Sequence, residues 1–235
     1  MNYDSPLVKM LEATANMLIV SFLWLLFSLP ILTLVPSSAA LFHTTNTVIF
    51  GPGRGNGVLK DFYASFKENL KEGILLSLIS VAVILIVAEG LWTAYQIWRI
   101  NIWGMLYGIL GIVLSFVLVP MILFIPPALS RFEAGIGTIL RIAAYLAMKK
   151  PLRTILYTVL FYFMVTCVQI VPLTLLIVPA LYTDLIRPST VKDLDELAAQ
   201  YSVPEEAEAE EETAEEEMTS NVDLDRELSK EKRKH

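Results

Sequence analysis

Apolar residues run along this chain in blocks too long for a soluble core, and the breaks between the blocks set the elements. No Asp, Glu, Lys or Arg occurs between Glu12 and Arg54, a run of 41 residues. One helix crossing a core of about 30 Å needs only about 20, and prolines divide the run. Ala15 to Val35 is expected to span. Pro36 suits the first turn of a new helix and Ser37 and Ser38 suit its cap, so a short helix is expected to follow at the membrane surface. "GPGRGNG" (Gly51–Gly57) then reads as a flexible loop. It lacks the preceding strand and the Gly-Lys-Ser/Thr ending of a phosphate-cradling loop.

Leu59, Phe62, Tyr63, Phe66 and Leu70 recur at helical spacing, with Lys60, Lys67 and Lys71 on other faces, which predicts a basic amphipathic helix at the interface. Further spans are expected at about 73–98 and 102–126. The link between them is short, so they form an antiparallel hairpin. Trp92, Tyr95, Trp98, Trp103 and Tyr107 cluster around it as an aromatic belt. Arg131 to Lys150 is a second basic segment. Thr154 to Thr183 is again uncharged over 30 residues, with Pro172 and Pro179 inside it. It reads as two short spans, about 153–168 and 170–186, or as one tilted helix.

The expected fold class is therefore all-α: a polytopic membrane helix bundle over residues 1–187, with five spans favoured over four, the first at about 15–36. Interfacial amphipathic helices accompany it, and a disordered acidic tail follows over 188–235. A cleaved leader fits poorly: Lys9 is its only base, and the apolar part exceeds the usual 7–15 residues.

An internal echo favours five spans. "PILTLVPSSAAL" (Pro30–Leu41), "PMILFIPPAL" (Pro120–Leu129) and "PLTLLIVPAL" (Pro172–Leu181) share two spaced prolines followed by Ala-Leu. "FKENLK" (Phe66–Lys71) pairs with "MKKPLR" (Met148–Arg153). If the echo is structural, all three proline segments leave the membrane on one face.

Composition agrees with the pattern: 55% of the 235 residues are hydrophobic and mean hydropathy is +0.58. Charge is split. Residues 1–187 carry a net of +4 and residues 188–235 a net of −10, with nine glutamates in Glu205–Glu217. Such a block repels itself and stays solvated. The basic residues of segments 37–72 and 127–153 are expected to be cytoplasmic. That puts the N-terminus outside and, with five spans, the tail inside. Lys60, Lys67, Lys71, Arg141, Lys149, Lys150 and Arg153 form a membrane-surface set suited to anionic lipid.

Candidate chemistry is sparse. There is no HExxH, no Gly-x-Ser-x-Gly and no clustered His/Asp/Glu, so no catalytic or metal-ligating residue and no cofactor is expected. Cys167 is the only cysteine and reads as a packing residue. Glu89 is the one acid well inside an apolar run, near the outer boundary by its distance from Trp92. Gly104, Gly108, Gly111 and Ser115 form a small-residue stripe suited to helix packing. Pro30, Pro36, Pro120, Pro126 and Pro172 are candidate functional breaks. The first proline of each pair leaves a carbonyl without its partner, at Leu26, Phe116 and Val168. Ser28, Thr33, Ser115 and Thr174 are candidate donors to them.

"FLWLLFSLPILTLVPSSAALFHT", "DFYASFKENLKEG" and "MKKPLRTILYTVL" resemble the YesL family of bacterial multi-pass membrane proteins, over about residues 11–187. The resemblance implies a role beside carbohydrate importers of the ATP-binding-cassette class and their sensor kinases, through gene neighbourhood. The expected function is a non-enzymatic accessory or regulatory protein of carbohydrate uptake in the cell membrane. Its partners would be the lipid bilayer and importer or kinase subunits. A homo-oligomer stays open, and nucleic acid is not expected. The alternative is a small solute transporter or channel, with Glu89 and the proline breaks lining its path.

Overall fold

The computed structural model describes residues 6–51, 57–97 and 102–200. The chain divides into two units, Met1–Thr190 and Val191–His235. Every regular element among the described residues is helical. The first unit holds α1 (Pro6–Ser28), α2 (Leu34–Thr44), α3 (Val58–Glu68), α4 (Leu70–Ile97), α5 (Ile102–Leu129), α6 (Ile136–Lys149) and α7 (Pro151–Ile170), and α8 begins at residue 178. In the second unit residues 191–200 are helical; Glu205–Glu217, expected to be disordered, lies outside the described residues. Among the described residues four helices are long and apolar enough to cross a membrane: Met10–Ser28, Leu70–Ile97, Ile102–Leu129 and Pro151–Ile170.

The first block does not follow the expected path. Its helix stops at Ser28, not at Val35. Pro30 has no N–H to donate and disfavours helix in Leu29 before it, and Pro30 itself is extended (φ −73°, ψ 113°). A 3₁₀ turn, Ile31–Thr33, leads into α2, where Pro36 is the third residue. Nor does α2 lie at a surface: Val35, Pro36, Ser37, Ala39, Ala40, Leu41 and Phe42 are all buried. The small residues after Pro36 let α1, α3, α4 and α5 all pack against it.

α2 runs back along α1. Trp24 Nε1 donates to Ser38 Oγ at 3.0 Å, and the π-helical turn Thr45–Ile49 that continues α2 packs on α1. The N-terminal part of α1 and the C-terminal end of α2 therefore share one end of the unit. A single crossing between Lys9 and Lys60 was expected; α1 and α2 form an antiparallel pair, of which α1 alone is long and apolar enough to cross a membrane.

The last apolar block behaves in the same way. α7 ends at Ile170, Val171 is extended before Pro172, and Pro172–Leu176 form a 3₁₀ turn. α8 then runs back along α7, with Phe161 against Tyr182 (ring centroids 5.8 Å) and the Tyr157 and Ser189 hydroxyls hydrogen-bonded. The segment expected to span at 170–186 is thus divided between that turn and the start of α8.

Between these pairs lies the expected hairpin of α4 and α5. The small-residue stripe faces α4: a Cβ on Gly108 would sit 3.4 Å from Ala94 Cβ, and one on Gly111 3.2 Å from Leu91. On Gly104 it would meet the Ile97 backbone at 2.6 Å. α5 continues unbroken through Pro120, Pro126 and Pro127, so the middle echo keeps its prolines without the break. Ser115 is buried and donates to Ile112 O, within its own helix.

Three antiparallel pairs result, α1/α2, α4/α5 and α7/α8, each with its proline segment on the returning leg. Pro36 lies against Gly73 and the Val35 N–H reaches Ser77, so α2 runs opposite to α4, as α5 does. The main apolar cluster joins Val20 and Leu23 of α1 to Ala40 and Leu41 of α2, Phe62 and Phe66 of α3, and Ala180 of α8. Phe27 meets three α3 rings edge-on or tilted, at 4.8 Å from Phe66, 5.6 Å from Phe62 and 6.3 Å from Tyr63. The apolar face expected of α3 is therefore shared: Phe62 and Phe66 turn inward, while Leu59 and Tyr63 are exposed.

Candidate functional site

Returning legs that begin inside a bundle expose helix N-termini where no water reaches, and the first four N–H groups of a helix have no partner within it. Two serines from α1 and α4 supply partners. The Val35 N–H, second in α2, donates to Ser77 Oγ at 2.9 Å. The Ala180 N–H, third in α8, donates to Ser21 Oγ at 3.2 Å. Both serines are fully buried. Pro36 and Pro179, in the same first turns, have no N–H to satisfy.

Prolines at these turns also free carbonyls, but the sequence-based donors bond other ones. Ser28 Oγ donates to Leu25 O at 3.2 Å. Thr33 Oγ1 lies 2.6 Å from Phe27 O and 2.7 Å from Pro30 O. Thr174 Oγ1 donates to Val171 O at 2.7 Å. None of the four expected donors is bonded to the carbonyl of Leu26, Phe116 or Val168. A short hydroxyl side chain reaches a carbonyl three or four residues back, and a helix end leaves several such carbonyls open.

The three proline segments meet around a cavity of about 400 Å³. The first segment contributes Leu34, Val35, Ser38, Leu41 and Phe42, the second Ile122, Leu123, Pro126 and Pro127, and the third Leu175, Val178 and Pro179. α4 closes one side with Ser80 and Ile84, and α7 another with Phe161, Met164, Val165, Val168 and Gln169. The wall is almost entirely hydrocarbon. Among its polar groups, Trp24 Nε1 bonds Ser38 Oγ and Thr183 Oγ1 bonds Pro179 O. Ser80 differs: it is 1% exposed, and its Oγ has no hydrogen-bond partner among the described residues. Of the candidate prolines, only Pro126 lines the cavity. Pro36 is buried behind it against Gly73, Pro120 lies in the wall between α5, α7 and α8, and Pro30 and Pro172 are exposed at the turns.

Glu89 is not at this cavity. It is exposed on α4 beyond Ile84, with the Thr93 hydroxyl 3.4 Å from Oε1. Trp92, Tyr95, Trp103 and Tyr107 are exposed around the α4/α5 link, while Trp98 and Arg99 lie outside the described residues.

A second recess, of about 610 Å³, is polar and sits where α2, α3, α4 and the α5–α6 link meet. His43, Glu68, Asn69, Glu72, Arg131 and Glu133 line it. Lys60, Lys67, Lys71 and Arg141 are exposed. Lys149, Lys150 and Arg153 are half-buried, with Lys149 Nζ 5.8 Å from the Tyr145 ring. Among the described residues no three His, Cys, Asp or Glu side chains are grouped to hold a metal ion.

Sequence reasoning passed over Ser21, Ser77, Ser80 and Tyr182. A signal existed for two of them: Ser77 and Ser80 stand one turn apart within an apolar stretch of α4, the spacing that puts two polar groups on one face. Arg187 was also missed. Its guanidinium lies 4.5 Å from the Phe50 ring centroid and 3.5 Å from Asp184.

A family model described as a protein of unknown function, DUF624, matches residues 17–90. The matched stretch runs from the apolar part of α1 through most of α4, and so contains the first returning leg and both Val35 and Ser77. No curated protein and no solved structure matches the chain.

Proposed function

We propose that this chain is a non-catalytic accessory or regulatory protein of carbohydrate uptake, multi-pass in the cell membrane and YesL-like. The observation that carries the non-transport part of this reading is the chemistry of the central cavity. A sugar presents a hydroxyl on nearly every carbon, and each one moved out of water needs a new partner. The cavity offers few polar groups, and two of them already bond Ser38 and Pro179. It is a poor sugar path, so the role in uptake is assigned to contacts with other proteins. The carbohydrate part rests on the family resemblance. The basic residues beside the polar recess favour a cytoplasmic location for that end. On this reading the N-terminus and the tail lie on that side too, in place of the outside position expected for the N-terminus from a single first crossing; the antiparallel packing of α1 with α2 and of α7 with α8 supports it.

The alternative, a small transporter in its own right, draws on the proline segments meeting at one cavity. Glu89 takes no part in that arrangement. Affinity purification of the tagged full chain from native membranes decides between them. Importer or sensor-kinase subunits in stoichiometric amount are expected. Sugar flux through liposomes holding this chain alone would overturn the accessory reading.

A further inference from the structure

We propose that the central cavity is a binding site for one alkyl chain bearing a single hydrogen-bonding polar group, taken in sideways from the membrane. This goes beyond the proposed role in uptake and stands without it. The first observation is the wall. Leucine, isoleucine, valine, proline and phenylalanine from α2, α4, α5, α7 and α8 enclose about 400 Å³, within the range of small-molecule pockets, about 300–1,000 Å³. The second is Ser80. Helical serines and threonines ordinarily bond a carbonyl of the preceding turn, as Thr158 does with Thr154 O at 2.8 Å. Ser80 does not: it is 1% exposed, its Oγ has no hydrogen-bond partner among the described residues, and it is one of the residues that line the cavity.

Water is a poor occupant, since a buried water makes about three hydrogen bonds and the cavity wall is mostly hydrocarbon, with Trp24 and Thr183 already hydrogen-bonded. A polyol fails for the same reason. A hydrocarbon chain matches the wall, and one carbonyl or hydroxyl on it gives Ser80 its partner. Entry is from the side: Ile84 and Val165, both lining residues, are 43% and 38% exposed on the apolar outer surface. The chain could belong to a bilayer phospholipid or to a free fatty acid. The chemistry at Ser80 is shared, a carbonyl accepting from its hydroxyl.

Trp24 lines the cavity and reports on it once Trp92, Trp98 and Trp103 are changed to Phe in the full-length protein. In nanodiscs, brominated fatty acid is titrated in one series and the fraction of brominated phosphatidylcholine is raised in another. A saturable quenching of Trp24 is expected in at least one series, and the series that shows it identifies the source. Ser80→Ala is expected to weaken that binding about tenfold while leaving the unfolding temperature of the lipid-free protein unchanged or higher, because its hydroxyl has no partner to lose. Val168→Phe, which fills the cavity, is expected to abolish it. Absence of saturable quenching in both series would overturn the proposal, as would an unchanged affinity in Ser80→Ala. The serine variant decides alone if the filled one does not fold.

Discussion

Ser21 and Ser77 each hold a helix start inside the bundle, and the consequence is measurable. Ser77→Ala leaves the Val35 N–H buried without a partner, and Ser21→Ala does the same to Ala180. Each is expected to cost about 1–3 kcal/mol, read as a lower unfolding midpoint in detergent. Thr166→Ala is the control: its hydroxyl is exposed and bonds only Tyr162 O of its own helix, so a change within about 0.5 kcal/mol is expected. Equal effects at all three positions would mean that the serines are not caps. Gly73 makes a similar contrast with Gly137. A Cβ on Gly73 would lie 2.8 Å from Pro36 Cβ and Cδ, whereas on Gly137 it would meet nothing within 4 Å. Gly73→Ala should therefore destabilise by about 1–3 kcal/mol through overpacking. Gly137→Ala, within α6, should stabilise by up to about 1 kcal/mol through helix propensity. The paired melting curves give the sign of each.

Among the elements, prolines divide into two kinds. Pro30 and Pro172 end helices and sit exposed at turns, whereas Pro120 lies within an unbroken α5 that is packed by α2, α4, α6 and α7. Neighbouring helices let a span carry a proline, so sequence spacing alone does not separate the two kinds. The hairpin of α4 and α5 could be read from the sequence because length, the short link and the glycine stripe all point one way. The return of α2 could not. The run after Pro36 has no charge and little amphipathic contrast, so pattern does not separate a surface helix from a buried one. Only the partners show the difference, through Trp24 meeting Ser38 and Gly73 meeting Pro36. The cavity escaped for a related reason: its lining comes from α1, α2, α4, α5, α7 and α8, and the apolar residues that form it look the same in sequence as those facing lipid. Glu89 remains where the sequence put it relative to Trp92, on an exposed part of α4. Glu89→Gln is therefore expected to leave the amount of protein in the membrane fraction unchanged; its loss would show that the carboxylate is paired in a buried site.

At the scale of the first unit, everything rests on three there-and-back helix pairs, with every proline segment on a returning leg. The cavity, the two serine caps and the shared end for both legs of α1/α2 and α7/α8 all follow from that arrangement. The topology proposed above differs from that of a chain that crosses once in its first block, because on that proposal Met10 and Lys67 lie on the same side of the membrane. Labelling by an impermeant maleimide in intact cells tests this directly, in a chain whose native Cys167 is changed to Ser. Single cysteines replace Met10, Lys67, Met148 and Trp103, positions that are all exposed. Cysteines at Met10, Lys67 and Met148 are expected to be protected alike, and the one at Trp103, across the α4/α5 hairpin, to be labelled. If the cysteine at Met10 is labelled along with that at Trp103 while Lys67 is protected, the first block crosses only once and the paired arrangement is wrong.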